Sequence, residues 1–174
     1  YVATGSCATG AGLLLGLKIL GIPSKVVAVC VEPQDEPNTV FMGLQRLFKE
    51  ANQKLHDADA SIPVVDFPVE QLILNDTFCG TAYGLFIPEG QEAVRVFKDT
   101  ENIRLEGTYS AKPIAAIMAD AAQGLLEGKV VLFWNTYCGI DYSYMTHMAQ
   151  YQELPHDFHR YFEEDVQPLA KLVY

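Results

Sequence analysis

Basic side chains are few: 12 Lys and Arg stand against 22 Asp and Glu in 174 residues, for a formal net charge of −10 and a pI near 4.7. A surface of that sign repels polyphosphate backbones, so nucleic acid is not an expected partner. Long apolar runs are missing too. The longest, Val26–Val31 and Val130–Trp134, reach about six residues against the roughly 20 that span a bilayer, and no membrane helix is expected. Cys7, Cys30, Cys79 and Cys138 form no CxxC pair and are too sparse for a disulfide scaffold, which points to a reducing cytoplasm. GxSxG does not occur, so there is no nucleophile elbow. His156 and His159 form HxxH beside Asp157, but two histidines three apart on a polar segment read as surface residues, and no metal is expected.

What is present is a chain that should fold. Apolar residues make up 49% and charged ones 20%, far from a disordered composition. The length suits one domain, or one large piece of a two-domain protein. The chain opens at Tyr1-Val2-Ala3, directly in what reads as a buried strand, and is expected to be a fragment of a longer polypeptide. That strand leads through Thr4–Gly10 into Leu13, Leu14, Leu17 and Leu20 at helical spacing, with a stop at Gly21-Ile22-Pro23. Lys25–Val31 is a continuous β-branched run, the pattern of a strand buried on both faces, and Glu32–Pro37 punctuates it. Phe41, Leu44, Leu47 and Phe48 mark a long helix ending near Asp57. Pro63 and Pro68 break the next apolar stretch into a connection and an edge strand. Helices follow over Glu89–Asp99 and Pro113–Leu126, then a second buried strand over Lys129–Trp134. Strands alternating with helices predict a three-layer α/β/α domain with a mainly parallel twisted sheet over residues 1–140. Residues 141–174 read as a helical C-terminal tail packing on it, with Phe158, Tyr161 and Phe162 at helical spacing.

The glycine-rich turn carries the most chemical information. A loop poor in side chains, between a strand and a helix start, aims free N–H groups and the positive end of the helix dipole at an anion, and phosphate is the natural ligand. Neither GxxxxGK[ST] nor GxGxxG is present, since Gly5, Gly10 and Gly12 have the wrong spacing. A tight turn holding no ligand is the alternative.

Val2–Gly12 resembles the phosphate-cup loop of pyridoxal-phosphate enzymes of the tryptophan-synthase β type (fold type II), in particular the aminocyclopropane-carboxylate deaminase and D-cysteine desulfhydrase family. Three further segments agree in order: Thr81-Ala82-Tyr83-Gly84 with a Tyr-Gly turn, Leu105–Lys112 with an L-D-P-V-Y-[TE]-G-K segment, and Gly128–Gly139 with a G-x-V-L-F…T-G-G strand and loop. The resemblance spans roughly the first 140 residues. It implies that pyridoxal phosphate is the cofactor and that Thr4, Gly5, Ser6, Cys7, Ala8 and Thr9 hold its phosphate, with Cys7 and Ala8 standing where glycines are common and their side chains turned away. Ser110 falls at the partner of the pyridine nitrogen. A hydroxyl there gives a weaker electron sink than a carboxylate, which favours elimination over ring opening. Tyr83 and Tyr109 correspond to tyrosines that face the substrate, where a phenol donates to a carboxylate or relays a proton. Asn135–Gly139 departs from His-Thr-Gly-Gly by an apparent insertion.

The resemblance thus implies an amino-acid deaminase or desulfhydrase releasing ammonia, and sulfide where present, from a small amino acid, as a homodimer when complete. The Schiff-base lysine of these enzymes lies upstream of the phosphate loop, and no lysine here has that context, so this stretch alone is expected to be inactive. A non-catalytic α/β domain holding another phosphorylated ligand, or none, is the rival reading.

Overall fold

The structure is a computed structural model that describes residues 1–34, 36 and 38–172, the last two by backbone alone. Of the expected turn at Glu32–Pro37, Asp35 and Pro37 lie outside the described residues, as do Val173 and Tyr174 of the 141–174 tail. Three short strands, β1 (Val2–Thr4), β2 (Val26–Cys30) and β3 (Leu72–Asn75), form a parallel sheet in the order β1-β2-β3, with Val2 opposite Ala28 and Ala28 opposite Leu74. The crossovers are α1 (Ala8–Ile19) and α2 (Thr39–Ala58), while α3 (Pro88–Glu101) and α4 (Ala111–Ala122) follow β3.

The three layers follow from the two-residue period of β2. Val26, Ala28 and Cys30 face one way, into a core with Leu14 and Leu15 of α1 and Val40, Leu44 and Phe48 of α2. Val27 and Val29 face the other way, onto Ala93 and Val94 of α3 and Ile114 and Ala115 of α4. All five residues of β2 are buried, as its β-branched run predicts. On α2 the buried residues fall at Val40, Leu44, Phe48 and Asn52, one per turn. The last of these holds the proline-broken connection. Asn52 Nδ2 donates to Pro63 O (2.9 Å), and the Val65 N–H donates to Asn52 Oδ1 (2.7 Å). Phe67 then stacks edge-on against Phe41 and Phe48, and the chain enters β3 as the edge strand.

The ends of α1 and α4 follow their glycines. After α1, Gly21 has φ +64°, and the Ile22 N–H reaches Leu17 O, a left-handed stop that only glycine adopts without strain. The same device shortens α4 relative to its apolar pattern. Gly124 has φ +73° and the Leu125 N–H donates to Asp120 O, so the helix ends at Ala122 instead of Leu126.

The expected buried strand over Lys129–Trp134 is corrected. No strand forms there, Val130 is fully exposed, and Leu132 and Trp134 are exposed. The segment meets the sheet at one residue: the Tyr1 backbone nitrogen donates to Leu132 O (2.8 Å) and the Trp134 N–H donates to Tyr1 O (2.9 Å), a parallel-type pairing opposite Phe133. Phe133 alone turns inward, edge-on to Phe97. One residue pair is too little for a ladder, and among the described residues no layer covers the outer side chains. In the tail, α5 (Ser143–Thr146) and α6 (Arg160–Glu163) are single turns joined by 3₁₀ turns, with residues 141–150 exposed.

Phe48 has no solvent exposure, and Phe48→Ala is expected to cost about 3–5 kcal/mol, read as a lowered urea midpoint at unchanged m. Lys49→Ala, on the exposed face of the same helix, should stay within about 0.5 kcal/mol.

Candidate functional site

The loops at the carboxyl ends of the strands converge on Gly5. β1 ends at Thr4, whose side chain is buried and whose carbonyl accepts the Val31 N–H (3.2 Å). Cys7 then takes a left-handed conformation (φ 68°) and opens α1 with no side-chain cap. Its thiol turns down between Gly5 O and Val40 O, 3.6 Å from each, against Gly43 and away from the open side of the loop. Ser6 and Ala8 are exposed and Thr9 is half-buried. Among the described residues, the N–H groups of Ser6, Cys7, Ala8 and Thr9 find no acceptor. Four free donors at the positive end of a 12-residue helix make a place for an anion.

Gly5 is what lets the second half of the site approach. A Cβ there would stand 3.2 Å from Val31 Cγ2 and 3.3 Å from Tyr109 Cε1. The Tyr109 hydroxyl in turn meets that of Tyr83 at 2.5 Å, with the two rings edge-on. Tyr83 sits at the second position of a four-residue turn closed by the Leu85 N–H on Ala82 O (3.3 Å), with Gly84 third at φ +81°, the arrangement in which glycine is required. The shared hydrogen bond with Tyr83, followed by burial and the nearby Tyr83, Glu32 and Glu106 charges, pushes the Tyr109 phenol up to about 12. At neutral pH it is therefore a proton donor and not a phenolate.

The turn that carries Tyr109 is built on Glu106, to which the motif resemblance gives no role. Its carboxylate accepts the N–H groups of Thr108 (2.8 Å), Tyr109 (2.7 Å) and Ser110 (2.5 Å), satisfying the donors that precede α4. Ser110 is buried, and its Oγ accepts the Glu106 N–H (2.8 Å) and donates to Glu106 O (3.2 Å). The structure thus places Ser110 beside Tyr109 with its hydroxyl engaged in this turn. Glu106 and Tyr109 line a cleft of about 380 Å³ with Thr136, Tyr137 and Cys138, which brings in the Asn135–Gly139 loop.

Lys112 also ties the site together. It has no solvent exposure, and its Nζ donates to Val31 O (2.5 Å) and Cys79 O (2.8 Å). Burial pulls its pKa down, opposed by Cys79, Glu106 and Glu32. The other described lysine side chains are elsewhere. Lys18, 3.6 Å from Glu70, and Lys25 line a second cleft of about 450 Å³ at the amino ends of β2 and β3. Lys49 and Lys54 are exposed on α2, and Lys98 and Lys129 bond Asn102 and Leu125 O. No helix among the described residues is long and apolar enough to cross a membrane.

The chain is similar to a crystal structure described as that of an ACC deaminase homologue, with a TM-score of 0.59 and 30% sequence identity over 74% of this chain and 36% of that one. It therefore spans about a third of that structure's length. The likeness is to a mixed helix and parallel-sheet fold. No protein-family model matches the chain.

Two outcomes test this geometry. The neutral Tyr109 phenol is favoured in the fold, so its contribution to stability is complete below pH 10 and is lost as pH rises toward about 12. Tyr83→Phe should draw the Tyr109 ionisation back toward 10, read by absorbance titration of phenolate against the parent protein. Lys112→Met orphans a buried carbonyl at Val31 and a part-buried one at Cys79 and should cost about 1–3 kcal/mol per carbonyl, in part offset by the apolar side chain, as measured by urea unfolding.

Proposed function

We propose that this chain is the cofactor-cradling part of a pyridoxal-phosphate-dependent enzyme of the tryptophan-synthase β type, one that releases ammonia from a small amino acid by elimination. The observation that carries the reading is the meeting of two features at Gly5: four free N–H groups at a helix start, and a hydrogen-bonded tyrosine pair packed against the same glycine. The likeness to an ACC deaminase homologue and the ordered motifs support it.

The donor set suits a phosphate dianion. The Ser6–Thr9 N–H groups and the Ser6 and Thr9 hydroxyls are neutral donors, and Cys7 points out of the way. Ser110 is the candidate for the pyridine nitrogen. Its longer bond, 3.2 Å to Glu106 O, is the one it gives up to donate there, while the Glu106 N–H keeps the oxygen oriented. When bound, pyridoxal phosphate supplies an electron sink for cleavage at the amino acid's α-carbon, and a hydroxyl partner at Ser110 favours elimination. Tyr109, its phenol pushed up to about 12, donates a proton or a hydrogen bond into the cleft, and Tyr83 orients it. Glu106 fixes the backbone from which both Tyr109 and Ser110 project. The Schiff-base lysine belongs, in this reading, to a segment of the full-length protein outside these residues, and the complete enzyme is a cytoplasmic homodimer.

A non-catalytic domain holding another phosphorylated ligand, or none, is the second reading, favoured by the engagement of Lys112 with two backbone carbonyls and by the placement of the other described lysines away from the Tyr109 cleft. A longer polypeptide carrying the upstream segment separates the two. It should bind pyridoxal phosphate and release ammonia from small amino acids, whereas these 174 residues alone should not. In the longer protein, Tyr109→Phe should lower kcat by roughly 10²–10⁴ with cofactor absorbance retained. A longer protein that neither takes up pyridoxal phosphate nor processes any small amino acid would establish the non-catalytic reading instead.

A further inference from the structure

We infer that Gln167, in the C-terminal tail, is a positioning residue for Tyr83: its side-chain amide clamps the turn that presents Tyr83 to Tyr109. The inference begins with the backbone of that turn. Tyr83 stands at its tip, 61% exposed, with its phenol on Tyr109. The turn itself exposes two polar groups to one side of Leu85, the Gly84 carbonyl and the Phe86 N–H. An adjacent strand normally satisfies such a pair, and β3 has ended at Asn75. Gln167 supplies both partners. Its Nε2 donates to Gly84 O (2.7 Å) and its Oε1 accepts the Phe86 N–H (3.0 Å). A primary amide carries donor and acceptor side by side and so closes onto the backbone as a neighbouring peptide group does.

The Gly84 carbonyl also accepts Thr108 Oγ1 (3.2 Å), from the residue before Tyr109. One carbonyl therefore joins the Tyr83 turn, the Tyr109 turn and the tail. The way the tail lies against the domain agrees with this role. Residues 160–165 are exposed, whereas Val166, Gln167, Leu169 and Ala170 are half-buried, and the 3₁₀ turn Pro168–Leu172 packs on α3, which begins four residues after Gly84. The tail thus docks where the Tyr83 turn leads into α3. Gln167 touches neither phenol and acts through the backbone between them.

The importance of this clamp for turnover rests on the proposed function, but the clamp has its own readout. Native-state hydrogen exchange at the Phe86 amide reports the Gln167 bond directly, with the Val29 amide of β2 as an internal reference. Gln167→Ala should speed exchange at Phe86 by roughly tenfold with Val29 unchanged, and should draw the Tyr109 ionisation from about 12 toward 10 as the phenol pair loosens. Gln167→Glu keeps an oxygen for the Phe86 N–H but loses the donor to Gly84 O, and should retain part of the protection. In a catalytically active longer form, Gln167→Ala should lower kcat with cofactor uptake unchanged. Unaltered Phe86 exchange and Tyr109 titration in Gln167→Ala would overturn the inference, as would equal acceleration at Phe86 and Val29, which marks a general loss of stability. An inactive longer protein with the expected exchange pattern would count against the proposed function and leave the clamp standing.

Discussion

The Lys112 ammonium, sealed from solvent, donates to a carbonyl just past β2 and to another in the loop after β3, from a helix whose preceding turn carries Tyr109 and Ser110. Three separate stretches of chain are thereby held at one end of the sheet, and each brings a component of the site. Val31 packs at the position a Gly5 side chain would fill, Cys79 leads to the Tyr83 turn, and α4 extends from the Glu106 turn. A buried cation is costly unless its donors are used, and here two carbonyls that need donors use them. The loops are consequently set by the same bonds that keep the charge satisfied.

Around that tie the molecule is uneven. β2 is covered on both faces, by α1 and α2 on one side and α3 and α4 on the other, and forms the rigid centre. Beyond β1 the sheet continues, among the described residues, through the pairing of Tyr1 with residues 132 and 134, and beyond that lie the exposed side chains of Val130, Leu132 and Trp134. The candidate site lies where loops from the rigid centre meet, in the place expected of ligands in open α/β sheets, past the carboxyl ends of the strands. The cleft lined by Lys18 and Lys25 is at the opposite ends and shares no residue with it.

Much of this was legible in the sequence where local chemistry decides structure. The β-branched run at Val26–Val31, the glycine stop at Gly21 and the apolar stripe from Val40 to Phe48 each specify an element by themselves. Lys129–Trp134 misleads because an apolar run signals a preference for burial but not the neighbour that provides it. The motifs brought out Gly5, Tyr83 and Tyr109, and the structure packs Tyr109 at Gly5 and bonds its hydroxyl to that of Tyr83. They could not tell where the Ser110 hydroxyl proton points, since that depends on a carbonyl four residues back. Lys112 ends the Leu105–Lys112 motif segment, and its place on the apolar face of α4 beside Ala111 and Ile114 agrees with the structural role it takes. Gln167 left no signal at all, because an amide that bonds backbone some 80 residues away has no local pattern.

The central claim is that the Ser6–Thr9 loop takes the phosphate of a pyridoxal cofactor whose ring lies toward Tyr109. Amide chemical shifts of the longer polypeptide that carries the upstream segment, measured during titration with pyridoxal phosphate and separately with pyridoxal, decide it. The phosphorylated form is expected to shift the amides of Ser6, Cys7, Ala8 and Thr9 together with Tyr109 and Ser110, and pyridoxal lacking the phosphate to leave the loop amides nearly unmoved. Shifts confined to Gly21–Lys25 at the opposite end of the sheet, or equal responses to both compounds, would contradict it.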